Sequence, residues 1–408
     1  MRILMVSEDV PYPSMGGLAK HALNLARALV RDGHEVDFLG STDHPIEAAG
    51  QDGIFGGRFF GELSGHHAGW KEYTFGMFVP QKRTWLAKRF AKAILRHASR
   101  YDVVHYHGHV PNVGRFIPGS VNFVQTRHDQ GTDCFFHTRF RDGQICKAVD
   151  PAECASCMNR QANPLQKAIS IMAVKRYRAE VAESFSRHKT VFVSDMLRTN
   201  CRRTLGDRSW GVTLHNFVDL DSLHSAKQDA PNTAHPGRIN VFIACKLYPP
   251  KGVGAFLQEI APVLPEAMHI SIAGDGGEEA LLRSRFGNDQ IQFLGWCASE
   301  NTLRLAAAAD AIVVPSLWEE PFGTTILEGL LLGKPTYALN QGGTPEMAKF
   351  GQPGQLRLFD DISGLVQDLI ALRPDKNRFS TWDQRAGAEY AAQQLLDIYR
   401  IPSLTQPT

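Results

Sequence analysis

The sequence lacks any run of about 18 uninterrupted apolar residues, so we predict that no helix of this chain spans a membrane. We also expect no secretory signal, because the opening segment reaches an acidic residue, Glu8, too early. We therefore expect a cytoplasmic protein whose seven cysteines are reduced thiols or metal ligands. The net charge of only +2 argues against a dedicated nucleic-acid-binding protein, and we expect no nucleic-acid partner.

What the sequence does contain is the composition of a globular protein. Apolar residues make up 43% and charged residues 21%, which excludes a disordered, collagen-like or fibrous chain. The length of 408 residues is enough for two or three domains. Residues 1–222 hold 29 Lys and Arg against 22 Asp and Glu, whereas residues 223–408 hold 15 against 20. A basic half beside an acidic half suggests that one half faces anions or a negatively charged surface.

Both halves alternate strand and helix patterns. An apolar run at 3–7, a Pro- and Gly-rich loop at 11–17, a helical stripe at 18–30 and a strand at 35–39 form a unit that builds parallel sheets. Further strand predictions are residues 103–106, 121–126, 190–194, 240–245, 270–273, 291–294, 311–315 and 335–338.

A polar segment divides the chain. Residues 225–238 contain two prolines and one glycine, as expected of a linker. We predict an N-terminal domain over 1–222, a linker over 223–238, a C-terminal domain over 239–380, and a final helix within 381–408 that packs back toward the N-terminal domain. The predicted fold class is α/β, with two doubly wound domains facing each other across a cleft and ligands at the carboxyl ends of their strands.

The strongest chemical signal is the segment 315–329, PSLWEEPFGTTILEG. A strand ends at Pro315, a loop carries Glu320, and a helix begins near Gly323 with Glu328 about one and a half turns in. The free N–H groups and the dipole of a helix start favour an anion. The segment therefore predicts a phosphate site at the helix start, with carboxylates that reach hydroxyl groups on either side.

The pattern Pro-Ser-x-x-Glu-Glu-Pro-Phe-Gly, with a second Glu eight residues after Glu320, resembles the donor site of the retaining glycosyltransferases of family 4. Residues 246–252, KLYPPKG, are similar to the Arg-Leu-x-x-x-Lys-Gly of that family, with Lys246 where Arg is usual. Other matching segments are Gly16-Gly17, His105-x-His107 and residues 126–129, 216–219, 274–276, 293–296 and 342–346. Phe217 replaces a usual Gly. The resemblance covers most of the chain and implies the GT-B fold of two Rossmann-like domains.

The resemblance implies that the C-terminal domain binds a nucleoside-diphosphate sugar. Lys246 and Lys251 would pair with the diphosphate, whose charge grows as the glycosyl bond breaks. Glu328 would accept hydrogen bonds from the ribose, and Glu320 would hold hydroxyls of the transferred sugar. The other donor-binding residues that it implies are Gly16, Gly17, Gly295, Trp296, Phe322, Gly323, Thr324 and Thr325.

The resemblance also assigns the acceptor side. His128 would lie near the reacting carbon and position the acceptor, with His107 and Asp129 as further acceptor-binding residues. We expect His105 and His107 to face opposite sides of their strand. The implied catalytic residues are His128, Glu320 and Lys251. In the mechanism that the resemblance implies, the acceptor attacks on the face of the leaving diphosphate, a phosphate oxygen takes its proton, and the anomeric configuration is retained.

We expect no catalytic divalent metal. Asp219-Leu220-Asp221 is similar to the Asp-x-Asp metal motif of the other large glycosyltransferase fold, but its place before the linker favours a domain-connecting loop. A structural zinc remains possible, because four cysteines lie within 24 residues and the last two form half of a typical zinc site. These are Cys134, Cys146, Cys154 and Cys157. The alternative is four unrelated reduced thiols.

Residues 81–100 hold seven Lys and Arg and no acidic residue. Leu86, Phe90 and Ile94 fall on one helical face, and the basic residues flank it. Such a helix, with Trp85 at its rim, can lie on anionic lipid. The alternative is an ordinary helix that packs on the sheet with its basic face in water.

The leading hypothesis is a retaining hexosyltransferase. It would move a sugar from a nucleoside-diphosphate sugar to a polysaccharide or lipid-linked oligosaccharide acceptor, at the cytosolic face of a membrane. One alternative is transfer to a small soluble acceptor. Another is a non-catalytic nucleotide-sugar-binding protein, because Lys246 and Phe217 depart from the family pattern.

Overall fold

The computed structural model describes residues 1–10, 17–41, 57–63, 79–132, 134–206, 211–231, 237–373, 379 and 383–401. The chain divides into two compact units. Unit 1 comprises Met1–Arg139, Lys147–Asn216 and Ala388–Thr408, and unit 2 comprises Phe140–Cys146 and Phe217–Gly387.

Strands and helices are numbered in chain order. The strands are β1 (Arg2–Val6), β2 (Glu35–Ser41), β3 (Phe59–Leu63), β4 (Val103–His107), β5 (Phe123–Arg127), β6 (Phe140–Arg141), β7 (Gln144–Ile145), β8 (Lys189–Phe192), β9 (Val212–Thr213), β10 (Ile239–Ala244), β11 (Met268–Ala273), β12 (Ile291–Gly295), β13 (Ala311–Val314), β14 (Thr336–Leu339) and β15 (Leu356–Phe359). The α-helices are α1 (Gly17–Arg31), α2 (Val79–His97), α3 (Pro151–Met158), α4 (Pro164–Arg187), α5 (Asp195–Leu205), α6 (Leu220–Gln228), α7 (Val253–Ile260), α8 (Glu279–Phe286), α9 (Ser299–Ala308), α10 (Thr324–Leu331), α11 (Ile362–Ile370) and α12 (Ala388–Arg400). Short 3-10 helices are Ala98–Arg100, Val113–Phe116, Gln130–Thr132, Pro249–Lys251, Ala261–Val263, Thr344–Phe350 and Gln384–Ala386.

Unit 1 is built on a seven-stranded parallel sheet. Its strand order is β3-β2-β1-β4-β5-β8-β9, so the order reverses between β1 and β4. Strand β1 is central because its run Ile3–Val6 is entirely apolar and fully buried, as a parallel strand covered on both faces requires. Helices α1 and α12 of this unit contact each other.

Helix α2 covers part of this sheet with its apolar stripe. Leu86, Phe90 and Ile94 recur every four residues and are all buried in the same core as Leu4 and Val104. Most basic residues of the helix fall between these positions and lie at the surface, whereas Arg83 is fully buried. The structure thus places the apolar face of 81–100 in the protein core.

Unit 2 repeats the plan with a six-stranded parallel sheet. Its order, β12-β11-β10-β13-β14-β15, is the Rossmann order, with the reversal between β10 and β13. The core includes Ile243, Ile272 and Val313 of three adjacent strands and Phe256 of α7. The predicted α/β class with two Rossmann-like halves is therefore confirmed.

The passage between the units differs from the predicted linker at 223–238. The chain enters unit 2 at Phe217, and residues 220–228 form helix α6. The side chain of Asp219 caps this helix by accepting from the N–H of Asp221. The loop predicted at Asp219-Leu220-Asp221 is therefore wrong, because these residues begin a helix.

No helix in the part of the chain that the structure describes is long and apolar enough to cross a membrane.

Candidate functional site

Residues 315–323, which we call the Glu320 loop, connect β13 to α10. Because β13 follows the reversal of strand order, this loop lies where doubly wound sheets bind ligands. The residue before α10 is Gly323, which has no side chain to cap the helix. The helix start is therefore an N–H-rich position that favours an anion, as predicted.

Glu320 is buried in this loop and paired with Lys251. The Nζ of Lys251 donates to Oε1 of Glu320 at 2.6 Å, and the Ser316 hydroxyl donates to the same oxygen at 2.7 Å. Burial acts to raise the pKa of Glu320, but Lys251 and Ser316 hold that pKa below its ordinary value. Glu320 is thus a carboxylate at neutral pH and can accept hydrogen bonds from ligand hydroxyls.

Lys251 is positioned by contact between its own turn and the Glu320 loop. Gly252, which follows it, has φ +71°, and a Cβ there would lie 1.9 Å from the carbonyl oxygen of Pro315. The N–H of Leu317 donates to the carbonyl of Pro250 at 2.9 Å. The Lys251 ammonium also lies 4.8 Å from the ring centroid of Trp318. These contacts hold cation and carboxylate together.

Lys246 lies nearby in the chain but at the surface. Its Nζ donates to Oδ1 of Asp275 at 2.6 Å, and about half of its side chain is exposed. Gly274 and Gly276 approach the end of β10 so closely that a Cβ would lie 1.8 Å from Cys245 O and 2.4 Å from Leu247 O. Asp275 was not among the predicted site residues, although it lies inside the matched segment 274–276.

The other predicted donor residues of unit 2 lie at the end of β12, in the Glu320 loop and on α10. Gly295 ends β12 with φ +72°, and Trp296 follows it with 57% of its surface exposed. Phe322 is buried, whereas Thr324, Thr325 and Glu328 on α10 are half-buried. An exposed indole beside the sheet edge is suited to contact a nucleotide base. In unit 1, Gly17 is an exposed residue of α1, and Gly16 lies outside the described residues.

A cluster of histidines occupies the corresponding edge of the unit 1 sheet. His107 ends β4, His128 follows β5, and His21 projects from α1. Nδ1 of His107 lies 3.1 Å from Nε2 of His128. The ring centroids of His21 and His128 are 4.5 Å apart, and Asn216 Oδ1 accepts a hydrogen bond from His21 Nδ1. His21 and Asn216 were missed as individual site residues because only the fold brings them to His128.

His105 and His107 lie on the same face of β4, with ring centroids 4.0 Å apart. The expectation that they face opposite sides is wrong, because residues two apart in a strand share a face. His105 is held by the Tyr399 hydroxyl at 2.6 Å and by Thr126 at 2.8 Å. His105 is thus a buried structural residue, whereas His107 contacts His128.

Burial keeps the imidazoles of this cluster neutral. It lowers the pKa of His21 to about 4, although the hydrogen bond with Asn216 acts in the opposite direction. Burial also holds the pKa values of His107 and His128 well below the ordinary value. The cluster therefore presents imidazole lone pairs at neutral pH.

Acid is expected to destabilise the folded protein through His21. The folded-state pKa of about 4 lies below the ordinary value of 6.5, so the unfolded chain binds more protons between these values. The stability that His21 contributes is complete above pH 6.5 and falls by about 3 kcal/mol as pH drops to 4. Urea unfolding across this range should give a shallower pH dependence for His21→Gln than for wild type. The exposed His224→Gln is the control, and equal slopes for all three proteins would contradict the expectation.

Asp129 is held inside a second polar cluster. It accepts hydrogen bonds from His109 at 2.7 Å, from His137 at 3.2 Å and from the N–H of Gly131 at 2.7 Å. Nε2 of His109 also meets Asp9 at 2.9 Å. Burial acts to lower the pKa of His109, but Asp9 and Asp129 raise it well above the ordinary value. His109 was missed, although the alternation of His105, His107 and His109 could have indicated it.

The four clustered cysteines are free thiols in the structure. Cys154 and Cys157 lie one turn apart on α3, and Arg178 donates to the Cys154 sulfur at 3.1 Å. Among the described residues, the groups of three or more side chains close enough to share one ion contain no cysteine. The structure thus places the thiols of Cys154 and Cys157 on one helix, and the structural zinc stays a prediction.

Comparisons with known proteins identify the family of the chain. Residues 15–222 match the family model described as Glycosyltransferase Family 4, and residues 238–375 match Glycosyl transferases group 1. The chain is similar to glycogen synthase of Mycobacterium tuberculosis, at 26% identity over 92% of this chain and 86% of the relative. It is similar to N-acetyl-alpha-D-glucosaminyl L-malate synthase of Bacillus anthracis, at 22% identity over 92% and 89%.

Solved structures share the fold at lower identity. Anabaena HepE in complex with UDP-glucose covers 98% of this chain and 99% of its own, with a TM-score of 0.64 and 17% identity. WaaG, a glycosyltransferase involved in lipopolysaccharide biosynthesis, covers 99% and 97% with a TM-score of 0.58 and 15% identity.

Proposed function

The chain belongs to glycosyltransferase family 4, with a group 1 domain in its second half, and from this membership we propose that it is a retaining hexosyltransferase. The donor is a nucleoside-diphosphate sugar bound by unit 2. The observation that carries the proposal is the pair of half-buried Lys251 with buried Glu320, next to the uncapped start of α10. This arrangement combines groups for phosphate with a carboxylate for sugar hydroxyls.

Charge stabilisation at the leaving group is the main catalytic contribution that we propose for unit 2. As the glycosyl bond breaks, negative charge grows on the diphosphate, and Lys251, Lys246 and the α10 N–H groups stabilise it. The two lysines exchange their carboxylate partners, Glu320 and Asp275, for the diphosphate. Glu320 and Glu328 then hold hydroxyls of the transferred sugar and of the ribose.

On the acceptor side, His128 positions the attacking hydroxyl, with His107 behind it. A neutral imidazole accepts that hydroxyl's hydrogen bond without adding a cation near the reacting carbon. A phosphate oxygen of the leaving group then takes the proton as the acceptor attacks on the same face, and the configuration is retained. No residue of the chain forms a covalent intermediate, and no metal ion takes part in a step.

We propose a glycan or lipid-linked glycan as the acceptor. The names of glycogen synthase and of WaaG, involved in lipopolysaccharide biosynthesis, support this choice. The alternative, a small soluble acceptor, is supported by the name N-acetyl-alpha-D-glucosaminyl L-malate synthase. Release of labelled sugar from a panel of nucleoside-diphosphate sugars, with and without each acceptor class, decides between the two.

Glu320→Gln is expected to lower sugar transfer by about 10²-fold while nucleoside-diphosphate binding persists. The amide keeps the size of the side chain but loses the charge that holds sugar hydroxyls, and nucleotide contacts are elsewhere. Transfer is measured with the labelled donor, and binding by thermal stabilisation with the free nucleotide. The neighbouring Glu319→Gln is the matched control. Wild-type transfer by Glu320→Gln would refute the catalytic assignment and favour the non-catalytic alternative.

The exposed face of α2 supports a second proposal, that unit 1 contacts an anionic membrane surface. Lys88, Arg89 and Lys92 are exposed, Trp85 is 50% exposed, and the Arg89 guanidinium lies 4.5 Å from the Trp85 ring centroid. Because the apolar face of the helix is buried in the core, binding rests on charge and on Trp85.

Charge reversal tests this membrane proposal. Lys88→Glu/Arg89→Glu/Lys92→Glu is expected to abolish sedimentation with anionic vesicles, because each basic residue near such a surface contributes about 1 kcal/mol. Wild type should sediment with phosphatidylserine vesicles at low salt and be released by high salt. Reversal at Lys20, Lys227 and Lys349, outside α2, controls for net charge. Equal binding by the α2 variant and wild type would exclude this surface.

A further inference from the structure

Three histidines of unit 1, contributed by three separate elements, converge at the edge of the sheet. They are His21 of α1, His107 of β4 and His128 after β5. One nitrogen of each lies within 4.8 Å of a nitrogen of both others. From this convergence we infer that His21, His107 and His128 form a binding site for a divalent transition-metal ion of the zinc class. The site is distinct from the cysteine cluster and from the diphosphate site.

The spacing of the ring nitrogens fits a single ion. Zinc bonds to imidazole nitrogen at about 2.0–2.1 Å, so two nitrogens of a tetrahedral site lie about 3.3 Å apart. Nδ1 of His107 and Nε2 of His128 are 3.1 Å apart. The third nitrogen, from His21, needs a shift of about 1.5 Å at most to reach that spacing.

The hydrogen bonds around the cluster orient the rings for a metal. The amide oxygen of Asn216 accepts from Nδ1–H of His21, which fixes the lone pair of that ring on Nε2. Metal-binding histidines commonly donate their second N–H to such an oxygen. His107 is completely buried, and its Nε2 has no hydrogen-bond partner among the described residues. Nδ1 of His107 and Nε2 of His128 share a hydrogen bond, so the ion would replace the proton between them, and Nε2 of His107 can carry the ring proton when Nδ1 binds the ion.

The donor set selects the ion. Three neutral imidazoles suit zinc, cobalt, nickel and copper, whereas magnesium and calcium require oxygen ligands. Burial keeps these imidazoles unprotonated at neutral pH, so a proton does not compete with the ion. A fourth position would be open to water or to a ligand.

The consequence for function rests on the proposed transferase activity. His128 is the residue that we propose positions the acceptor, and an ion bound to its nitrogen removes that lone pair from the acceptor. The ion is therefore an inhibitor of transfer and not a cofactor. Zinc in the surrounding solution would regulate the enzyme through the acceptor side, with the donor site of unit 2 unaffected.

Metal binding is tested without turnover, by equilibrium dialysis of the metal-stripped full chain against Co²⁺. We expect a stoichiometric Co²⁺ with visible ligand-field bands and nitrogen ligation. His21→Gln and His107→Gln are each expected to weaken this binding by at least about tenfold. The controls are His224→Gln at the surface and His137→Gln in the Asp129 cluster, both of which should bind as wild type does. Circular dichroism verifies that each variant is folded.

Two results would overturn the site. One is wild-type affinity for Co²⁺ in both His21→Gln and His107→Gln. The other is bound Co²⁺ that shows thiolate charge-transfer absorption alone and disappears in Cys154→Ser, which assigns the ion to the cysteine cluster. Neither result depends on whether the chain transfers sugar, so failure of the metal site and failure of the proposed function are separate outcomes.

Zinc inhibition provides the second measurement. Transfer by wild type should fall as Zn²⁺ occupies the site. In His21→Gln the inhibitory Zn²⁺ concentration should be higher by at least about tenfold. The rates of each protein are normalised to the rate of that protein without zinc. The same inhibitory concentration in both proteins would show that zinc acts elsewhere and would overturn the regulatory role.

Discussion

Lys251→Met is expected to lower sugar transfer by about 10³-fold, because it removes a cation that we propose stabilises the leaving diphosphate. The Nζ of Lys251 is 2.6 Å from Glu320 and Lys251 belongs to the turn that contacts the Glu320 loop, so the ammonium is held at this site before it pairs with the diphosphate. Methionine keeps the length and the apolar stem of the side chain but has no charge. The measurement is the turnover of labelled donor at saturating concentration, with the exposed Lys227→Met as the control.

The same substitution should also destabilise unit 2. The side chain of Glu320 is 8% exposed, and without Lys251 it becomes a buried carboxylate without its cation, at a cost of about 3 kcal/mol. The double variant Lys251→Met/Glu320→Gln removes both charges and should recover most of that stability without recovering transfer. Recovery of transfer by the double variant, or unchanged transfer by Lys251→Met alone, would contradict the role of this cation.

The strand, loop and helix that carry the candidate donor residues of unit 2 could be predicted in detail because they are local in sequence. Strand, loop, helix start and both carboxylates lie within residues 315–329, and the spacing alone places Gly323 before the helix. The pairing of Lys251 with Glu320 joins residues 69 apart. From the sequence one could expect only that both residues contact the same ligand. The direct ion pair between them is a finding of the structure.

The histidine cluster of unit 1 could be predicted only in part, because its members are far apart in sequence. His107 and His128 follow neighbouring parallel strands, so their proximity follows from the strand order. His21 and Asn216 are 195 residues apart, and their contact depends on how α1 packs against the sheet. Local pattern carries no information on such packing.

Several of the elements that the sequence patterns missed have little burial. Strands β3 and β15 are mostly half-buried, and β9 has two residues, so none shows an apolar run. Helix α6 buries only Leu223 and Ala226, which is why its polar sequence resembled a linker. A weakly amphipathic helix is hard to recognise from sequence when the element against which it packs lies far along the chain, as α9 does for α6.

Gly252→Ala is expected to destabilise unit 2 by about 4 kcal/mol and to lower its melting temperature by about 10 °C. Two costs add. The φ of +71° is unfavourable for any residue with a Cβ, by about 1 kcal/mol. The larger cost is steric, because the new Cβ would lie 1.9 Å from the carbonyl oxygen of Pro315, which is backbone and cannot rotate away.

Gly354→Ala separates these two costs. Gly354 lies in the same unit with φ +77°, but no atom lies within 4 Å of a Cβ built there. It should therefore lose only about 1 kcal/mol, the conformational part. Calorimetry of both variants measures the difference. Equal losses of stability would show that the Pro315 carbonyl moves away from the new Cβ at little cost. Because relief of the clash moves Lys251 away from Glu320, Gly252→Ala should also lose sugar transfer at temperatures where it is still folded, whereas Gly354→Ala should keep it.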